Sequence, residues 1–541
     1  MGGRWARGSF RGIDTDDTIT AVLRAAAARD PDGTWLRTDE GTLSFGAAAA
    51  RVALAAQRLE ETGVRRGDLV VLTARSTPAY LLTLLATTVL GAIAVPTNPA
   101  ATAAELAGLL TQAKPRLLVS DPDLGPVVEE ATAAAELGTA DVADLAGDWE
   151  ASLPSTVPDL PGGATPDDVA VLIPTSGTTG RSKLVMQTHR AYAWAGEGFP
   201  AWMELTADDV LMTSLPLFHI NAQAYSTMGS LSAGAGLVLL PRFSASRFLD
   251  SARRHGATEF NAIGAMLEIL MRQPERADDA DTALRLVYTG PSPTRERQEE
   301  MERRFGLRIV CGYAMSETPY GLIWPRGTRP FGTLGTVRQH PRLGVVNEAR
   351  VVDENGADVP VGGTGELLLR NPVVTPGYWG MPDETAEVLH DGWLSTGDLV
   401  TVNDDATYTF VSRRKEVLRR RGENLSPLEV EEAVAGHPAV QEVAVVGVPS
   451  DLSEEEIKAF VVLADDAGDF TGTPADLAAL REWTAARLSA FKVPRYWQVV
   501  DELPRTATAR IAKHRLPSGH PDGEYDADAR ATRDGPPAGG H

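Results

Sequence analysis

At 541 residues the chain is too long for one hydrophobic core, and ordinary domain sizes divide it into about three or four units. Hydrophobic residues make up 43% of it, enough to fill such cores, and a formal net charge of -22 excludes nucleic acid and anionic membranes as expected partners. The single cysteine, Cys311, excludes an intramolecular disulfide and fits a reducing cytoplasm.

The N-terminus M-G-G-R-W-A-R-G-S-F-R-G is basic but leads into the acidic I-D-T-D-D-T, which is not the pattern of a signal peptide. From about Thr18 to Val119, amphipathic helical patterns (Phe45 to Thr62) alternate with short apolar runs (Asp68 to Leu72, Gly91 to Val95), the alternation of an α/β fold. The longest apolar stretch, Tyr80 to Val95, is interrupted by Thr83, Thr87, Thr88 and Gly91. It falls short of a roughly 20-residue span and reads as a buried helix running into a buried strand. The Ala-, Asp- and Pro-rich segment from Asp121 to Asp168 reads as a surface excursion.

After the apolar run Val169 to Ile173 comes P-T-S-G-T-T-G-R-S-K, Pro174 to Lys183. Its glycines allow a tight turn and close approach of backbone N–H groups. Thr175, Ser176, Thr178 and Thr179 add hydroxyl donors, and Lys183 adds a positive charge. Such a loop suits an anion, a phosphate chain above all, though its spacing is not the Walker one; a polar turn is the plain alternative.

A helix is expected over His189 to Trp202 and a strand over Val210 to Ser214, followed by P-L-F-H-I-N-A, Pro216 to Ala222, where His219 is either structural or functional. Leu237 to Leu240, Glu259 to Ile263 and Leu284 to Tyr288 are further strand candidates, the last running into T-G-P-S-P. In G-Y-A-M-S-E-T, Gly312 to Thr318, a strand ending in Gly-Tyr would bring Tyr313 and Glu317 to a sheet's carboxyl edge. There an aromatic ring can stack on a base and a carboxylate can hold a hard cation.

Short strands with Gly/Pro turns from Gly332 to Phe410 indicate a smaller β-rich unit. It contains G-W-L-S-T-G-D-L, in which Asp398 is read as a turn residue able to accept hydrogen bonds from sugar hydroxyls or as an ordinary turn Asp. The basic run Arg413 to Pro427 reads as a solvated face or an interdomain hinge, and alternating helix and strand patterns from Glu429 to Val500 make a compact α/β domain. Pro517 to His541 carries few large apolar residues and is expected to be disordered.

In combination these motifs resemble the ANL superfamily of acyl-CoA synthetases, peptide-synthetase adenylation domains and luciferases, over about Thr18 to Leu516. The resemblance implies an α/β fold with a large N-terminal domain of parallel-rich sheets and a small β-rich unit (1–413), a small mobile C-terminal α/β domain (414–516) and a disordered tail (517–541). It implies a phosphate loop for ATP over Thr175, Ser176, Gly177, Thr178, Thr179, Gly180 and Lys183. Gly290, Pro291, Ser292, Cys311, Gly312, Tyr313, Ala314, Met315 and Ser316 would form the adenine pocket. Glu317 would be the Mg2+ ligand, Asp398 and Arg413 would hold the ribose, and His219 would border the acyl and thiol tunnels. Small residues at Ala222, Gly264 and Ala265, with Tyr288, would line the acyl pocket. Lys415 and Glu416 would form the hinge, and Arg419, Arg421, Gly422, Glu423 and Asn424 would approach coenzyme A. In that superfamily a carboxylate attacks the α-phosphate of Mg·ATP to give acyl-AMP and pyrophosphate; the C-terminal domain then swings and the thiol of coenzyme A displaces AMP.

One departure matters most. In L-P-R-T-A-T-A-R-I-A-K, Leu503 to Lys513, the superfamily's T-G-K reads Thr508, Ala509, Arg510, so the catalytic lysine position holds an arginine. Lysine is a compact point charge and arginine a longer planar fork, so the two are not interchangeable at a fitted site. Lys513, three residues on in an extended segment, would point to the opposite side. Ser182 and Leu184 also stand where the phosphate loop usually has Pro and Gly, and Ser412 and Glu416 where the hinge motif has Gly and Asp. The expectation is an acyl-CoA ligase, with Thr178, His219, Glu317 and Arg510 as the catalytic set, that passes a preformed acyl-AMP to coenzyme A while its own adenylation step is weak or absent. A separate ligase would supply the adenylate. The alternatives are a complete two-step ligase, an inactive nucleotide-sensing subunit, and an enzyme that loads a carrier protein.

Overall fold

The computed structural model describes residues 16–133, 137–175, 182–290, 292–420, 423–449, 455–465, 467–505, 511–517, 519 and 523–527. Two large sheets carry the N-terminal part. One runs Gly138–Asp141, Leu117–Ser120, Leu69–Thr73, Ile93–Pro96, Val169–Thr175, Lys183–Thr188, parallel until the last strand, which returns antiparallel. Leu69–Thr73 and Ile93–Pro96 are buried along their whole length, as strands covered on both faces must be. The helix Pro78–Val89 lies deep inside: every residue but Ala79 is buried, and the Thr77 hydroxyl caps it by accepting from the Tyr80 amide.

The second sheet has nine strands among the described residues, in the order Thr336–Val337, Thr318–Ile323, Arg308–Met315, Leu286–Thr289, Glu259–Asn261, Val210–Thr213, Gly236–Leu239, Thr34–Arg37, Thr42–Ser44. From Arg308–Met315 to Thr34–Arg37 they run parallel, so their carboxyl ends share one edge. A five-stranded antiparallel sheet (Glu348–Val352, Thr364–Arg370, Trp393–Val402, Leu389–His390, with Tyr408–Arg413 on Trp393–Val402) forms the β-rich unit over its own core of Leu322, Leu334, Val351, Leu367, Leu369 and Val400. The C-terminal domain folds Pro427–Ala435 and Pro474–Ala485 onto Val440–Pro449, Glu455–Leu463 and Tyr496–Val499 around Trp497 and its aliphatic neighbours.

Two expectations need correction. The segment 121–168 is more than a surface excursion: Gly138–Asp141 extends the first sheet, and Val142–Ala146 buries Val142, Leu145 and Ala146, an i, i+3, i+4 stripe masked by the surrounding Ala and Asp. The tail is ordered in part: Tyr525–Asp526 pairs antiparallel with Tyr496–Val499. Charge holds it there. Asp526 takes a bidentate pair of hydrogen bonds from Arg495 at 2.9 Å each, and Glu524 lies 2.6 Å from the ammonium of Lys458, a fully buried side chain that also donates to the Gly519 carbonyl. A polar tail with little apolar content is thus ordered by the cations it neutralises.

Glu259 is buried at the start of its strand, and neither carboxylate oxygen has a hydrogen-bond partner among the described residues. Burial, reinforced by the charge of Asp209, raises its carboxyl well above the ordinary range, and Arg285 offsets this only in part. The folded state therefore keeps a proton that the unfolded chain gives up above the ordinary carboxylate value. Stability falls as pH rises through the interval between the two values, by about 1.4 kcal/mol per pH unit. Glu259→Gln is expected to raise the midpoint of thermal unfolding more at pH 8 than at pH 5. An equal shift at both pH values would contradict this.

Candidate active site

The strands Val169–Thr175 and Lys183–Thr188 form a hairpin whose tip, including Ser176, Gly177, Thr178, Thr179 and Gly180, lies outside the described residues. Its base is well defined: Thr175 and Lys183 are register partners, and the Thr175 hydroxyl donates to the Lys183 carbonyl at 3.3 Å. The segment Gly377–Trp379 docks on this hairpin through Met186 N to Gly377 O at 3.0 Å and Trp379 N to Leu184 O at 2.8 Å. This sets the Lys183 ammonium 4.4 Å from the centroid of the Tyr378 ring, whose hydroxyl donates to Glu317 Oε1 at 2.9 Å. Sequence reasoning did not single out Tyr378, which links two of the candidate site residues, Lys183 and Glu317.

Glu317 sits differently from expectation. The strand does not end at Gly-Tyr; it runs on to Met315 and returns as Thr318–Ile323, so the carboxylate occupies the tip of a hairpin. Burial raises the Glu317 carboxyl, while the Tyr378 hydroxyl and the charges of Arg413 and Lys183 pull it down in part. No group of three or more metal-binding side chains exists among the described residues. A single buried carboxylate with oxygen donors suits Mg2+, a hard cation that takes one or two protein carboxylates and fills its shell with phosphate oxygens and water.

Asp398 is also not a turn residue. It lies within the strand Trp393–Val402, directly across from Arg413, with Gly397 before it in the left-handed region (φ +71°). Its side chain is buried. Tyr313 donates to Oδ2 at 2.5 Å, Arg413 Nε lies 2.9 Å from Oδ1, and its own amide donates to the Thr396 hydroxyl at 3.1 Å. The three side chains singled out for adenine and ribose therefore form one hydrogen-bonded unit. Burial and the neighbouring carboxylate push the Tyr313 phenol well above its ordinary range, so it stays a donor. Asp398→Ala is expected to cost about 1–3 kcal/mol of stability, limited by the partial exposure of Arg413, and to weaken AMP binding in a titration. Unchanged AMP affinity would separate this unit from the nucleotide.

The remaining adenine-pocket residues converge on two adjacent parallel strands. Gly290 needs its missing side chain: a Cβ there would stand 2.4 Å from the Gly312 carbonyl oxygen. Cys311 is buried beside Ser292, and burial pushes its thiol up to about 12, too high for a nucleophile. Ala314, Met315 and Ser316 are half-buried, and the Ser316 carbonyl accepts from Gln187 at 2.5 Å. Pro291 lies outside the described residues.

His219 is half-buried, with its ring centroid 4.4 Å from that of Phe218, and leads into a π-helical turn, Asn221–Thr227, a backbone form frequent at functional sites. The four residues expected at the acyl pocket differ in exposure. Ala222 packs into the main core, Gly264 is half-buried at the start of the helix Gly264–Met271, Ala265 is exposed, and Tyr288 is buried.

Tyr288 accepts from a residue that sequence reasoning missed, Arg338. This fully buried guanidinium also donates to the Tyr225 hydroxyl and to the carbonyls of Pro319 (2.9 Å) and Leu322 (3.0 Å), and lies 4.9–5.4 Å from the ring centroids of Trp202, Tyr225 and Tyr288. In a Gly/Pro-punctuated run, R-Q-H-P-R reads as surface and gives no signal of burial.

Arg414–Glu416 forms a single tight turn carrying Lys415 and Glu416. The hairpin Leu418–Arg420 with Glu423–Leu425 pairs Arg419 with Asn424 and Arg420 with Glu423; Arg421 and Gly422 at its tip, like Arg510, lie outside the described residues. Lys513 is engaged elsewhere, 2.8 Å from Glu431 and 3.9 Å from Glu416, a residue expected at the hinge.

The chain matches the family model of AMP-binding enzymes over residues 23–379 and that of their C-terminal domain over 429–510, and it belongs to this family. Within it, the protein is an acyl-CoA ligase of the ANL superfamily. It is 34% identical to a crotonobetaine/carnitine–CoA ligase of Salmonella arizonae over 478 residues, covering 84% of this chain and 89% of that one. MatB from Rhodopseudomonas palustris, solved with ATP bound, superposes with a TM-score of 0.81 at 28% identity, covering 92% of this chain and 98% of that one. A benzoate CoA ligase from Burkholderia xenovorans gives 0.82 at 25% identity, covering 92% of this chain and 99% of that one.

Proposed function

We propose that this acyl-CoA ligase forms its thioester from a preformed acyl-adenylate and coenzyme A, with its own ATP-dependent adenylation weak or absent. This reading is carried by Arg510, which by the motif resemblance stands where the superfamily keeps its adenylating lysine. Of the other cations of that segment, Arg505 is paired with Glu442 and Lys513 is bound to Glu431 and faces Glu416, which leaves both poorly placed to take over. The unit of Tyr313, Asp398 and Arg413 supports retention of an AMP-containing ligand and argues against an inactive subunit, and Glu317 is the residue to hold Mg2+. The carboxylate–phosphate contact of adenylation needs a well-placed cation. Attack of a thiol on acyl-AMP, with AMP leaving, makes less demand on that group. We place the protein in the cytoplasm beside a separate adenylating ligase, on the strength of its one buried cysteine and its missing lysine.

A complete two-step ligase is the second reading, favoured by the crotonobetaine/carnitine–CoA ligases and by the ATP-bound MatB to which the chain is similar. Parallel assays decide between them: acyl-CoA formation from acid, ATP and Mg2+, and from synthetic acyl-AMP. Product only from acyl-AMP is the expected result. Equal rates from both overturn the first reading, and carrier-protein loading is tested by replacing coenzyme A with a phosphopantetheinylated carrier.

A further inference from the structure

We infer that the acyl group carries a second hydrogen-bond acceptor oxygen, recognised by the side-chain amide of Asn221. This rests on reading the site as that of an acyl-CoA ligase. Asn221 opens the π-helical turn two residues after His219 and is half-buried. Asn261, at the carboxyl end of its strand and 1% exposed, donates through Nδ2 to Asn221 Oδ1 at 2.8 Å and to the Ser226 hydroxyl at 3.1 Å. Both Asn261 amide hydrogens are spent there, while its carbonyl oxygen is enclosed without a donor. In this orientation the buried Asn261 NH2 has two acceptors and only its carbonyl is under-satisfied, the milder of the two deficits. The Asn221 carbonyl is therefore committed inward. Its NH2, set 120° away, donates to no described protein acceptor and is accessible.

The surroundings favour the same ligand chemistry. Asn261 is in register with Tyr288, and Tyr225 belongs to the same π-turn as Asn221. Both tyrosine hydroxyls accept from Arg338, which has no ion pair among the described residues. A buried cation without a counter-ion biases the nearby space toward oxygen acceptors, anionic ones most. Gly264, three residues from Asn261, has no heavy atom within 4 Å of where a Cβ would stand, so there is room. The class is a carboxylic acid bearing a keto, hydroxyl, ether or carboxylate oxygen along its chain.

Matched acyl-sulfamoyl adenosines test it without turnover: a series with a keto oxygen at successive chain positions, each beside its methylene counterpart. At the preferred position the keto probe is expected to bind the native protein about tenfold or more tightly than the methylene probe. Asn221→Asp keeps the acceptor that Asn261 needs but offers no outward donor, and should bring the ratio to about one or below; Asn221→Leu should do the same. A native ratio near one at every position, or one that survives both variants, overturns the inference. If no probe binds more tightly than AMP, the acyl site is not here and the inference falls with it. Clear discrimination without any acyl-CoA formation sinks the proposed reaction alone.

Discussion

Arg510→Lys is expected to raise the rate of acyl-AMP formation from acid and ATP by about a hundredfold or more, while acyl-CoA formation from synthetic acyl-AMP changes little. The argument is geometric. The ends of the segment carrying residue 510 are pinned: Arg505 and Ile511 form an antiparallel bridge, and the Ala512 amide donates to the Pro504 carbonyl at 2.7 Å. Leu503, Ile511 and Leu516 pack with Ala444, Phe460 and Val462. With the flanking residues fixed in this way, the expected gain turns on the reach and shape of the side chain at position 510. Lysine brings a flexible point charge to the place where carboxylate and α-phosphate meet, whereas the arginine fork is longer and planar. The check is pyrophosphate release with and without coenzyme A. A native chain that already releases pyrophosphate as fast as the variant would remove the basis of the thioesterification reading, and Ala509→Gly in the same background would show whether the backbone limits the gain.

The second large effect is on stability. Glu524→Ala removes the carboxylate 2.6 Å from the fully buried Lys458, and breaking such a pair costs about 3–5 kcal/mol. Ending the chain at Leu516 should cost more, since the bidentate Arg495–Asp526 pair and the added strand go as well. The double change Lys458→Met with Glu524→Leu should recover much of the loss by replacing the ion pair with apolar packing. Chaotrope unfolding followed by fluorescence of Trp497, the buried tryptophan beside this clasp, measures each step. A truncated chain with the native midpoint would show that the last strand carries no load.

What the sequence made legible is what local pattern encodes. The apolar runs at Val169 and Ile93 became buried strands, and the base of the Gly-rich segment pairs Thr175 with Lys183. What failed depended on partners distant in the chain. Asp398 looked like a turn residue because S-T-G-D has turn composition, yet its register with Arg413 keeps it in a strand. The tail looked too polar to fold because Lys458 and Arg495, which order it, lie 66 and 31 residues before Glu524 and Asp526. Ala222, small and three residues after a candidate histidine, suggested an open pocket but is buried in the main core.

Arg338 constrains anyone who would retarget this ligase. Its guanidinium is held by hydroxyls from two different elements, Tyr225 and Tyr288, and by carbonyls of a third, Pro319 and Leu322. Trimming either tyrosine removes one hydrogen-bond partner from a fully buried cation, so single-site libraries at these positions should yield mostly destabilised protein. Productive variants lie on a path in which Arg338 is neutralised first or together with them. The order of substitutions, and not only their identity, then decides which acids the scaffold can be taught to accept.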